Sequence, residues 1–220
     1  MNSQGLRDPV QAFETLRQFA RRLPRSEEHC ELCSVGLRSE HPHLIEPSQR
    51  RLICACDACA LLFSAREDAK FKRVPSQVRR LVDFRMTDAE WDGLLIPINL
   101  AFFVKSGSDS RVSALYPSPA GATESLLPLE TWNSVVQANP VLSELQPDVE
   151  ALLVNRVGHA REASAAEYYI APIDECYRLV GLIRIHWHGL SGGEVVWHEI
   201  GNFFAKLRSK AEFVTEEAHA

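Results

Sequence analysis

The chain lacks what would mark a membrane protein, a secreted protein or a familiar enzyme. No apolar run reaches the roughly 18–20 residues that a membrane-crossing helix requires. The N-terminus, around Met1 to Val10, is polar and has no hydrophobic signal region, so the cytosol is the expected compartment. Neither sign of charge dominates. The 24 lysines and arginines against 29 acidic residues leave a net charge of −5, too small to draw the whole chain to nucleic acid or anionic lipid. A Walker loop, G-x-S-x-G and H-E-x-x-H are all missing, as are internal repeats and low-complexity tracts. What is present is 220 residues of 45% apolar composition. That is enough for a core, in one medium domain or one domain with a small appended module.

The cysteines are unevenly placed. Five of the six fall between Cys30 and Cys59. In a reducing compartment such clustering reads as metal ligation before disulfides. Cys30-Glu31-Leu32-Cys33 is one C-x-x-C and Cys56-Asp57-Ala58-Cys59 is another, with 22 residues between them. A C-x-x-C turn aims two thiolates at one point, and two such turns, expected here on opposed hairpins, complete a tetrahedron. Cys30, Cys33, Cys56 and Cys59 are therefore the expected metal ligands, and Zn2+ is the expected ion. Iron in a rubredoxin-like site is the alternative, because all-thiolate tetrahedra accept either metal. Rubredoxin knuckles usually carry glycine just after the second cysteine, where this chain has Ser34 and Ala60. Cys54 is expected close to the four but outside their shell, as a buried hydrophobe, with a spare ligand or a sulfur packed against the ligands as the alternatives. His41 and His43 are candidates to replace a cysteine ligand, though the set is complete without them.

The rest of the chain suggests an α+β protein: an N-terminal helix and zinc-ribbon-like module over 1–64, a linker over 65–73, an α+β domain over 74–213 ending in a helical hairpin, and a flexible tail over 214–220. Val10, Phe13, Leu16, Phe19 and Ala20 fall at helical spacing, which predicts a helix over 8–23. Short apolar runs at 43–45 and 51–54 suggest small strands. Thr87 with Glu90 predicts a capping box. Strands are expected over 94–104, demoted near Pro97 to an edge or bulge, and over 111–116, 149–157 and 167–171; a helix is expected over 129–139. Ile173, Cys176, Tyr177, Val180, Ile183 and Trp187 keep helical spacing, with Asp174 as the expected N-cap. After the break at 189–193, Ser191 with Glu194 predicts a second capping box. The helix it opens should turn Val195, Ile200, Phe203, Phe204 and Leu207 mostly inward.

Other features carry less chemistry. The stretch from Pro117 through Gly121 to Ser125 holds two prolines, hydroxyls and Glu124. It reads as a rigid turn between strands, with an anion or substrate site as the alternative. His186, His188, Glu194, His198 and Glu199 lie near one another in sequence without a compact ligand motif and read as solvated surface. Basic residues after Phe63, among them Lys70, Lys72 and Arg73, would suit a nucleic-acid-binding zinc ribbon, but aromatic interleaving is thin and the chain is acidic. No catalytic set can be assembled from the residues.

Three phrases together carry a resemblance: CELC…HPHLI…RRLICACDACALLF, then YPSPAGATES, then APIDECYRLVGLIRIHWHGLSGGEVVWHEIGNFF. They resemble an uncharacterised bacterial family of about this length, often encoded near [NiFe]-hydrogenase genes. The resemblance covers most of the chain. It implies a non-catalytic accessory or assembly role beside a metalloenzyme, with a metalloenzyme subunit or precursor as protein partner. It supplies no reaction and no catalytic residues.

Overall fold

The computed structural model describes residues 28–66, 68–157, 166–189 and 191–214. The helix expected over 8–23 lies outside them. Among the described residues the architecture is mixed α and β, with five α-helices and two sheets.

The larger sheet has seven strands in the order β10-β4-β9-β8-β5-β6-β7. In chain order these are β4 (Arg79–Leu81), β5 (Leu100–Lys105), β6 (Val112–Ser118), β7 (Gly121–Ser125), β8 (Glu150–Asn155), β9 (Glu167–Pro172) and β10 (Glu212–Val214). Every pairing is antiparallel except β10 with β4. Side chains alternate across this sheet. Phe102, Leu115, Leu153 and Tyr169 enter one core, while Phe103, Ala114, Leu152 and Ile170 enter another. Helices cover both faces, so the central strands read as continuous apolar runs rather than alternating ones.

On the first face lie α4 (Ile173–His186) and α5 (Gly193–Lys210), which contribute Cys176, Leu179, Ile183, Val196, Ile200 and Phe204. The two helices pack against each other across a short connection. On the second face lie α2 (Asp88–Gly93), α3 (Leu129–Ala138) and the 3-10 turn Pro140–Glu144, which contribute Trp91, Trp132, Val135 and Leu142. Each fully buried Phe or Leu in these layers contributes about 1.5–3 kcal/mol.

The local signals were realised unevenly. Thr87 and Glu90 form the expected reciprocal cap of α2, with Glu90 N–H to Thr87 Oγ1 at 3.2 Å and Thr87 N–H to Glu90 Oε2 at 2.7 Å. The strand expected from Leu94 begins only at Leu100. Pro97 lacks the N–H that a ladder needs, and Leu95 sits at φ 56°. Asp174 does not cap α4: Pro172 holds that position, and Asp174 lies inside the first turn. The box expected from Ser191 and Glu194 is also absent. Gly192, at φ 86°, is the N-cap of α5. A Cβ there would meet Val196 Cγ1 at 2.8 Å and the Trp187 ring at 3.1 Å, so a glycine fits the turn better than a hydroxyl cap. Consequently Val196 faces inward and Val195 is exposed, the reverse of the expectation for Val195, and Trp187 is only half-buried.

The smaller sheet has the order β2-β1-β3, from β1 (His43–Glu46), β2 (Arg51–Cys54) and β3 (Lys72–Arg73). Between β2 and β3 lies α1 (Asp57–Ser64). The stretch 65–73, expected as a linker, thus ends in a strand paired to β1, and Phe71 within it is buried. Val214, expected in the tail, closes β10; residues 215–220 lie outside those described.

The β1–β2 hairpin has two differently occupied faces. Leu44 and Ile53 point into a small core with Cys30, Ala55, Cys59, Ala60 and Phe71. Ile45 and Leu52 point the other way, into the core beneath α4 and α5. Polar ties reinforce this contact: Lys72 Nζ to Asp148 Oδ2 at 2.7 Å, Arg50 to Glu124 at 3.1 Å, and Val74 N–H to the His43 carbonyl at 3.0 Å.

Candidate metal centre

The first C-x-x-C is a knuckle. Cys30 N–H bonds the Val35 carbonyl at 2.8 Å and Ser34 N–H bonds the Cys30 carbonyl at 2.7 Å. Ser34 adopts φ 65° to close the turn. The second C-x-x-C is not the opposed hairpin knuckle expected from spacing. Cys56 is the N-cap of α1, its sulfur accepting the Cys59 N–H at 3.5 Å. Backbone donors at a helix start favour negative charge, so this turn suits thiolates for a reason beyond spacing.

The four sulfurs of Cys30, Cys33, Cys56 and Cys59 lie within 4.8 Å of one another. Cys33 and Cys56 approach to 3.8 Å. A tetrahedron with metal–sulfur bonds of about 2.3 Å has edges of about 3.8 Å, so the arrangement fits a four-coordinate ion. Cys30 and Cys59 are buried, Cys56 is half-buried and Cys33 is exposed.

Electrostatics are shared among the four. Burial opposes ionisation of Cys30, but N–H groups of Cys56, Leu32 and Cys33 pull its thiol down to about 6. Burial and the neighbouring thiols push Cys59 up to about 12. Cys33 is also raised: the Val35 N–H and the Cys59 sulfur lower it, but the Cys30 sulfur, burial and the Cys56 sulfur outweigh them. Cys30 is thus drawn toward the thiolate while Cys33 and Cys59 resist it, which is the setting a divalent cation relieves. The donor set suits Zn2+ and iron alike.

Cys54 and the two histidines depart from expectation. Cys54 is half-exposed rather than a buried hydrophobe. Burial, then Glu28 and Glu31, raise its thiol. His41 and His43 do not enter the four-cysteine shell. Instead one ligand atom from each of His41, His43 and Cys54 lies within 4.8 Å of the others. The sequence carried a signal for this: an H-x-H puts two side chains on one face of a strand, and the hairpin sets His43 directly opposite Cys54.

The remaining candidates are spent elsewhere. The stretch 117–125 is mostly the β6–β7 hairpin, with Pro117 paired to Ala122. Ser118 Oγ donates to the Gly121 carbonyl at 3.0 Å, and Glu124 accepts from Ser113 at 2.7 Å and from Arg50 at 3.1 Å. A cleft beside it, lined by Ile45, Arg50, Ser113, Leu115 and Tyr177, holds about 60 Å³, far below the roughly 300–1,000 Å³ of small-molecule sites. Cys176 is fully buried on α4 with its thiol held protonated by burial, as a core residue. Among the described residues, His186, His188, His198, Glu194 and Glu199 join no converging metal-ligand group. Also among the described residues, no helix is long and apolar enough to cross a membrane.

Comparison with known proteins gives a family and no activity. Neither a curated protein nor a solved structure matches the chain. A family model described as a family of unknown function (DUF5947) matches residues 29–211, which include both C-x-x-C pairs and nearly all the described elements. The chain belongs to that family.

Proposed function

We propose that this is a non-catalytic, zinc-binding accessory protein that docks on a metalloenzyme subunit or its precursor, such as that of a [NiFe]-hydrogenase. The observation that carries the reading is the closed four-sulfur shell. An ion held by four thiolates has no open position for substrate or water, so its work is structural. The ion closes a zinc-ribbon-like module whose own core is small, and through Ile45 and Leu52 the module is set against the main domain. On α1, which also carries Cys59, Leu61, Leu62 and Phe63 are exposed; such a run supports a protein partner with an apolar contact face. The hydrogenase partner rests on the resemblance of the sequence phrases.

Two measurements test this. Protein purified without added metal should be colourless and contain zinc that a Cys33→Ser variant loses. A red protein with reversible one-electron reduction would replace the reading with rubredoxin-like electron transfer. Tagged hydrogenase subunits should retain the protein in a native pull-down, and Leu62→Asp should weaken that retention. Absence of the protein from such pull-downs would remove the accessory role.

A further inference from the structure

We propose that His41, His43 and Cys54 form a second metal site, separate from the four-cysteine centre, for a late first-row divalent cation of the Zn2+ type. The hairpin builds it. His43 and Cys54 are cross-strand partners in β1 and β2, and His41 stands two residues before His43. Their ligand atoms converge within 4.8 Å, and none of the three belongs to the four-cysteine set. The rings of His41 and His43 meet edge to face at 4.9 Å between centroids.

Hydrogen bonding sets the tautomers. The Nδ1 of His43 lies 2.8 Å from Asp174 Oδ2, and the Nδ1 of His41 lies 2.9 Å from the Arg38 carbonyl. Carbonyl and carboxylate oxygens only accept here, so each Nδ1 carries a proton, and in the neutral ring that a metal binds each Nε2 carries the lone pair. For His41 that lone pair is an anomaly. Its side chain is 6% exposed, and Nε2 is buried with no hydrogen-bond partner. A buried acceptor without a partner is costly, and coordination of a cation at Nε2 satisfies it.

The surroundings match what metal-bound histidines require. A ligating imidazole donates its other N–H to a carboxylate or carbonyl, which fixes the ring and raises its basicity; both histidines do so. Asp174, 131 residues from His43 in sequence, is thereby explained: it sits in the first turn of α4, displaced from the capping position, and orients a ligand. Two imidazoles and one thiolate suit Zn2+ and its neighbours. Three protein ligands leave a fourth position for water or a group from a partner, and half-exposed Cys54 gives a route for exchange. This inference does not depend on the accessory role proposed above.

The test is zinc stoichiometry on the full chain. Metal-stripped protein is titrated with Zn2+ against a chromophoric chelator, and bound metal is counted by mass spectrometry. Two equivalents per chain are expected, one tight and one weaker. His41→Ala with Cys54→Ala should remove only the weaker equivalent. Asp174→Asn, outside the hairpin, should weaken that equivalent about 10–100-fold and leave the tight one unchanged. Charged with Co2+ in the weaker site, the wild type should show thiolate-to-cobalt absorption that Cys54→Ala abolishes. A single equivalent in the wild type overturns the proposal. So does a second equivalent that survives the double substitution, or an Asp174→Asn variant with unchanged affinities.

Discussion

Replacing Cys56 by Ser should open the metal module while the large sheet persists. Cys56 both supplies a sulfur and caps α1, so the substitution removes one ligand and weakens the start of the helix that positions Cys59. The module's own core holds three large buried side chains, Leu44, Ile53 and Phe71. At about 1.5–3 kcal/mol each they contribute about 5–9 kcal/mol. Structural zinc in small modules is worth about 10–16 kcal/mol, so the ion is the larger contribution and its loss is not recovered by packing. The two cores flanking the seven-stranded sheet share no residue with that small core. Limited proteolysis with mass spectrometry should show cutting near residues 65–73 in the variant, leaving a protected C-terminal fragment, and circular dichroism should retain most of its signal. The wild type treated with a strong chelator should behave alike and recover when zinc is restored. A Cys56→Ser protein that binds no metal yet stays protected throughout would refute the reasoning. Collapse of the whole chain would refute it differently, by making Ile45 and Leu52 part of one inseparable core.

Other perturbations probe the main domain. Thr87→Ala removes the reciprocal cap of α2 and should cost about 1 kcal/mol, read as a lowered Tm. Hydrogen bonds from Thr87 hold the Glu90 carboxyl below its ordinary 4.5. Its stabilisation is therefore present above that pH and lost as pH falls through the lower folded value, so the Tm gap between wild type and Thr87→Ala should narrow in acid. Burial, and Glu167 accepting from its hydroxyl at 3.1 Å, push Tyr169 up to about 12. A raised folded value means stabilisation that is complete below the ordinary 10 and lost between about 10 and 12. Tyr169→Phe should cost about 1.5–3 kcal/mol at neutral pH by denaturant titration and flatten the alkaline decline. Trp132 is buried and stacks on Phe103 at 4.9 Å between ring centroids. Trp132→Ala should cost about 3–5 kcal/mol in urea unfolding, and a loss below 1 kcal/mol would mean that α3 does not close that face.

The sequence by itself determined the four converging cysteines, because a C-x-x-C turn is local and orients its two sulfurs whatever surrounds it. The Thr87–Glu90 cap was legible for the same reason, as were the hairpin strands at 43–46 and 51–54 and the helical spacing from Ile173 to Ile183. Tertiary structure decided the rest. Spacing did not say that Cys56 would start a helix, since a second knuckle meets the same distance requirement. The helix caps were set by packing: Val196 and Trp187 close on Gly192 and leave no room for a side chain there. Strand β5 was shortened at its start by Pro97, and the central strands lost their alternation because helices cover both faces. The group of His41, His43 and Cys54 was legible only as an H-x-H spacing beside a cysteine, for a plain physical reason. Strand register sets His43 opposite Cys54, and the carboxylate that orients His43 arrives from a helix 131 residues away, brought there by the burial of Ile45 and Leu52 in the core beneath α4.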